Sequence, residues 1–117
     1  MSSYNQILHT MDDQQLAAAT LAARENGEIA LFNVAAWVNA PGCQNEEFAL
    51  TLCYIDGGKA HEVPVDRGRI NAMQDILLSG VAQLPVRKKL EKVQLQLRAA
   101  RAHIGLVVED VCLQPAH

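Results

Sequence analysis

The chain has 117 residues, half of them apolar and a fifth charged, a composition that fits one globular domain rather than a disordered chain. A formal net charge of -3 provides no field to draw the whole molecule onto nucleic acid or an anionic membrane. One Trp, two Tyr and two Phe are few for any function built on aromatic platforms.

The first fifteen residues show no basic segment followed by an apolar core, and no apolar run approaches the roughly 20 residues of a membrane span. The expectation is a cytoplasmic chain. From Asp12 to Asn26 the pattern predicts a helix. Asp12 caps it, Gln15 stands where a capping box needs it, an alanine-rich run follows, and Gly27 stops it. Leu16, Ala19, Thr20 and Ala23 form a narrow face, which Tyr4, Ile7, Leu8 and Met11 extend upstream. This divides the chain into a helical segment over residues 1–27, packed on the domain, and a β-sandwich over 28–117. The helix is read as a cover for one open end of the sheet rather than as a partner-docking element.

Ile29 to Asn39 is a strand, with Phe32, Val34, Ala36 and Val38 on one face and Leu31, Asn33, Ala35 and Trp37 on the other. A turn at Ala40-Pro41-Gly42 leads to a second alternating run, Phe48 to Ile55. Asp56-Gly57-Gly58 is a hairpin signal, and Ala60 to Val65 returns as an edge strand marked by Pro64. Residues 68–84 support two readings. Ile70, Met73 and Leu77 suit a short helix, whereas Ile76 to Val81 suits a strand interrupted at Ser79-Gly80.

Residues 85–115 carry two competing periods. Val86, Leu90, Val93, Leu97, Ala100 and Ile104 draw a helical seam, with Pro85 at its first position and Gly105 past its end. Val93, Leu95, Leu97 and Ala99 alternate with Gln94, Gln96 and Arg98, which is the period of a half-buried strand. Arg87, Lys88 and Lys89 would oppose the dipole at the helix's amino end. Val107 to Leu113 is a strand on either reading. The fold class is therefore mostly β, a two-layer antiparallel sandwich of jelly-roll type with an amino-terminal helix. The alternative is α+β, a four-stranded sheet with a long helix at 86–104.

Catalytic chemistry finds no motif. Glu46-Glu47 and Glu109-Asp110 are adjacent pairs that strands would send to opposite faces, unlike the facing carboxylates of a glycosidase. His9, His61, His103 and His117 show no spacing that converges on a metal or a nucleophile. Cys43, Cys53 and Cys112 form no CxxC, and three reduced, mostly buried thiols are expected, with Cys53 and Cys112 in the core. No cofactor or metal is assigned. Gly57-Gly58-Lys59 lacks the upstream glycine of a phosphate loop. Six of the ten basic residues, Arg87, Lys88, Lys89, Lys92, Arg98 and Arg101, crowd one span, which is either an anion-contact strip or a solvated face. With no aromatics interleaved, nucleic acid is not expected.

The ordered segments AAWVNAPG, FALTLCYIDGGK, ILLSGVAQLP, KVQLQLRA and IGLVVEDVCLQP carry a resemblance over about residues 29–115. They resemble the jelly-roll, galactose-binding-like carbohydrate-binding modules of families four, nine and twenty-two. The shared features are a Trp-Val pair, Tyr-x-Asp-Gly, Leu-Ser-Gly followed by Leu-Pro, and a closing run like Val-Glu-Asp-Val-x-Leu. The resemblance implies a sandwich that binds a polysaccharide or oligosaccharide, with Trp37 and Tyr54 as sugar-stacking rings. It would also map a structural calcium onto Asp110, whose amino-terminal acidic partner this chain lacks. The family's first strand is replaced here by a helix, and the aromatic expected near Met73 and Asp75 is missing.

Together these features predict a non-enzymatic binding or protein-interaction module. Trp37, Tyr54, Arg87, Lys88 and Lys89 are its candidate ligand-binding residues, and carbohydrate is the alternative ligand. A homodimer is the simplest partner arrangement. It would form through the 106–113 strand if that strand lies at an edge and is left uncovered by the helix.

Overall fold

The computed structural model describes residues 4–103 and 105–116. In chain order the elements are β1 (Tyr4–Thr10), α1 (Asp13–Glu25), β2 (Ile29–Asn39), β3 (Glu47–Asp56), β4 (Lys59–Arg69), β5 (Asp75–Pro85), β6 (Leu90–Ala99) and β7 (Val107–Pro115). They form two antiparallel sheets, ordered β1-β6-β3-β4 and β5-β2-β7. Apart from the β3–β4 hairpin, successive strands cross from one sheet to the other. That winding encloses a single core, as in jelly-roll-like sandwiches.

The inner faces are the alternations read from the sequence. Phe32, Val34, Ala36 and Val38 of β2 meet Phe48, Leu50, Leu52 and Tyr54 of β3 and Val93, Leu95 and Leu97 of β6, all buried. Each fully buried leucine contributes about 1.5–3 kcal/mol through the apolar surface it withdraws from water. Leu78, Ala82 and Leu84 complete the layer from β5, which runs unbroken through Ser79-Gly80. Glycine suits this close approach, because a Cβ at Gly80 would sit 3.1 Å from the Val65 carbonyl oxygen of neighbouring β4. Residues 68–84 thus contain no helix, and Met73 lies exposed in the turn before β5.

β6 resolves the competition between the two periods. The span Leu90–Ala99 is a central strand flanked by β1 and β3, so the helix at 86–104 and its α+β fold are ruled out. Long-range pairing on both sides outweighs a local helical seam. The strand expected from Val107 to Leu113 runs from Val107 to Pro115, and Ile104, the last position of the helical seam, lies outside the described residues.

α1 forms as its sequence requires. Gln15 N–H donates to Asp12 at 2.8 Å and Asp12 N–H donates back to the Gln15 side chain at 3.0 Å. Leu16, Ala19, Thr20 and Ala23 are its buried face, and the helix closes one end of the sandwich. There Thr20 Oγ1 accepts from Leu90 N–H at 3.0 Å. The upstream extension is different. Tyr4–Thr10 is a strand paired with β6, so residues 1–27 supply a strand of the larger sheet as well as a helix. Among the described residues no helix is long and apolar enough to cross a membrane.

Candidate functional site

The five residues singled out from the sequence fall in three places. Tyr54 lies on the inner face and is 4% exposed, its hydroxyl donating to Pro85 O at 3.0 Å and its ring stacked on His61. That ring lacks the open face that sugar stacking needs. Arg87, Lys88 and Lys89 form the β5–β6 connection, with exposed side chains and an engaged backbone. Asp56 Oδ2 and Oδ1 accept from Arg87 N–H at 2.8 Å and Lys88 N–H at 2.9 Å, and Gly57 N–H donates to Lys89 O at 3.1 Å. Gly57 has φ +56, and a Cβ there would lie 2.8 Å from Lys88 Cβ, so this close crossing needs glycine. Burial pulls the Asp56 carboxyl upward, but the backbone donors of Arg87, Lys88 and Lys89 overrule it and hold it below its ordinary value.

The basic span does not become one strip. Arg98 stands on the outer face of the larger sheet and Arg101 at the far end of the sandwich, each paired with an acid. Across that larger sheet a polar chain runs from strand to strand. Arg98 Nη1 donates to Glu62 Oε2 at 3.0 Å and Arg98 Nη2 to Gln96 Oε1 at 3.4 Å. Gln96 donates to Gln94 Oε1 and Gln94 to Thr10 Oγ1, both at 3.3 Å.

Trp37 is half-buried on the outer face of β2, in the smaller sheet. Residues directly paired across strands share a face. The outer face therefore carries Leu31, Asn33, Ala35, Trp37 and Asn39, flanked by Leu77, Ser79, Val81 and Gln83 of β5 and by Val107, Glu109, Cys112 and Gln114 of β7. Leu77, Val81 and Val107 are 50%, 60% and 46% exposed. Asp110 and Val111 form a bulge opposite Ala36, with Asp110 at φ +51 and Val111 also exposed.

A second constellation closes the end of the sandwich opposite α1, where residues 40–46 and 100–106 meet. Tight turns shape the first loop: Cys43 N–H donates to Ala40 O at 3.1 Å and Glu46 N–H to Cys43 O at 3.0 Å, with Gly42 and Asn45 at positive φ. The β4–β5 connection holds it through Gly42 N–H to Gln74 Oε1 at 2.8 Å and Asn45 N–H to Ile70 O at 3.0 Å. Cys43 and Glu46 thereby face His103, whose ring lies against Phe48. Cys43 Sγ is 3.1 Å from His103 Nδ1, the same nitrogen is 3.5 Å from Glu46 Oε2, and Arg101 holds Glu46 Oε1 at 2.8 Å. Burial, with the Glu46 carboxylate adding, pushes the Cys43 thiol up. Burial also acts upward on Glu46, but the adjacent Cys43 thiol, the Arg101 guanidinium and His103 hold its carboxyl below its usual value.

No family model, curated protein or solved structure matches the chain.

Two parts of this picture could not be seen in the sequence. Cys43 and Glu46 stand three apart, but His103 joins them only when two loops distant in the chain, each linking one sheet to the other, meet, so no local spacing signalled the group. The mid-strand thiols Cys53 and Cys112 are not core residues. Each pairs on an outer face and is half-buried, and alternation alone does not say which face is inner. All three cysteines are free.

Proposed function

We propose that this protein is a non-catalytic protein-interaction module that docks a second copy of itself on the outer face of β5-β2-β7. The observation that carries this reading is the set of exposed apolar side chains on that face, Leu77 paired with Trp37, Val107 with Asn39 and Val81 with Asn33. The paired rows of that face contain no Lys or Arg, and their only acids are Asp75 and Glu109. A two-fold interface opposes a patch to its own copy, and a face of mixed apolar and polar side chains with only two charges limits the repulsion between like charges. Strands of nine to eleven residues, at about 3.3 Å rise and about 4.8 Å spacing, give a face of about 35 by about 14 Å. Corrugated by side chains, that area is of the order of the about 800 Å² per partner in a standard interface.

Face-to-face docking is favoured over edge pairing because each edge is blunted. β7 has its bulge, β4 has Pro64 and an irregular register, and β1 shifts register between Ile7 and His9. On β5, the Ser79 N–H is taken by Asp66 Oδ2 at 3.0 Å.

Light scattering at micromolar concentration tests the proposal. The native chain is expected at dimer mass, and Leu77→Glu/Val81→Glu at monomer mass with an unchanged circular dichroism spectrum. A monomeric native chain that a soluble polysaccharide retards, with the retardation lost in Trp37→Ala, would reject self-docking in favour of carbohydrate binding.

A further inference from the structure

We propose that Cys43 Sγ, His103 Nδ1 and Glu46 Oε2 form a binding site for one divalent zinc-type ion, bridging the 40–46 and 100–106 loops. The three donor atoms lie within 4.8 Å of one another and converge from two loops. With a metal–sulfur distance of about 2.3 Å and metal–nitrogen and metal–oxygen distances of about 2.0–2.2 Å, tetrahedral ligands stand about 3.6 Å (S to N) and about 3.4 Å (N to O) apart. The observed sulfur-to-nitrogen and nitrogen-to-oxygen separations, 3.1 and 3.5 Å, each lie within a few tenths of an ångström of those values, and the sulfur and oxygen stand within 4.8 Å of each other.

The geometry also separates a metal site from a catalytic triad. A Cys–His–Glu relay uses both ring nitrogens, one toward the thiol and the other toward the acid. Here Nδ1 faces both partners, which suits convergence on one point and not proton relay. Glu46 Oε2 supplies a second indication. Among the described residues it is the buried side-chain oxygen left without a hydrogen-bond partner, while Oε1 is held by Arg101. An arginine that fixes one carboxylate oxygen and leaves the other aimed inward orients the ligand.

The donor set selects the class of ion. One sulfur, one imidazole nitrogen and one carboxylate oxygen suit a borderline ion, whereas calcium or magnesium would find a single hard oxygen. A thiolate and a carboxylate bring two negative charges to the divalent ion, and the Arg101 guanidinium on Glu46 leaves the cluster with one net positive charge. Cys43 is 3% exposed and the His103 side chain 7%, so the ion would be shielded from water on two sides. Three protein donors leave a tetrahedral ion one further position for water.

The test uses the full chain, stripped with chelator and kept reduced by a phosphine, titrated with zinc and separately with cobalt. One zinc per chain is expected, with release of about one proton as the thiol ionises, and a melting temperature that rises with zinc concentration. Cobalt should give a sulfur-to-metal charge-transfer band. Cys43→Ser should remove that band, and Glu46→Gln, whose amide oxygen still accepts from Arg101, should weaken zinc binding about 10- to 100-fold while preserving the fold. Cys53→Ser and Cys112→Ser should bind as the native chain does. Absence of the charge-transfer band in the native chain would overturn the site. So would a band that survives Cys43→Ser or disappears with Cys53→Ser or Cys112→Ser, or zinc affinity unchanged in Glu46→Gln.

Discussion

The two sheets share one core but turn different outer faces to solvent. On the larger sheet the outward side chains are joined in a chain from Glu62 through Arg98, Gln96 and Gln94 to Thr10, so donors and acceptors satisfy one another across three strands. On the smaller sheet Leu77, Val81 and Val107 stand exposed on the same face as Trp37, whose paired rows carry no cation. The same alternation rule generates both faces. What differs is the identity of the outward residues, cross-linked polar side chains on one sheet and exposed aliphatics interleaved with uncharged polar groups on the other.

The largest effect should separate the two sides of the smaller sheet. Phe32→Ala, which empties a site inside it, is expected to lower stability by about 3–5 kcal/mol in denaturant titration. Val81→Ala on the outside should change it by under about 0.5 kcal/mol when measured at dilution below association. Equal costs for the two would dissolve the distinction between faces.

Next come the ties between the sheets. Asp56→Ala strands the N–H groups of Arg87 and Lys88 and should cost about 1–3 kcal/mol near neutral pH. Because the folded carboxyl titrates below its unfolded value, this stabilisation is present in full above about pH 3.9. It is lost as pH falls through the folded value. Denaturation midpoints of native and Asp56→Ala chains should therefore converge in acid, and a constant gap would refute the assignment. Tyr54→Phe removes the hydroxyl bond to Pro85 O and should cost about 0.5–1.5 kcal/mol. It should leave dimer mass unaltered, whereas loss of dimer would mean that Tyr54 acts at the outer surface. The smallest change is expected for Arg98→Ala on the larger sheet, where Glu62 is exposed and salt screens the pair. A melting curve indistinguishable from the native one at high salt would agree, and a large loss there would show the polar chain to be more than a solvated face.

Much of the fold was legible because local and global signals agree. Asp12 with Gln15 fixed the helix start, Gly57-Gly58 the hairpin, and the alternation from Ile29 to Asn39 a strand whose bounds match the structure. Where local signals conflicted, pairing decided. Leu90–Ala99 reads as a helix by its apolar seam but is a strand because β1 and β3 hold it from both sides. Tyr4, Ile7 and Leu8 read as a helical extension for the same reason: seven residues are too few to reveal a period when the deciding partner, β6, comes over eighty residues later. The site was less legible. Trp37 was found by type, but its apolar surroundings depend on which face of three separate strands turns outward. The Cys43–Glu46–His103 group depends on two loops whose meeting no local pattern encodes.

The position of Trp37 has a spectroscopic consequence. It is the single tryptophan of the chain and lies half-buried on the outer face, while the inner layer holds Tyr54, Phe32 and Phe48. Light absorbed selectively by indole therefore excites the outside of one sheet and leaves the packed interior dark. Emission from the folded chain should respond to whatever covers that sheet before it responds to loss of the core, and a quencher in solution should read the covering directly, with no label attached.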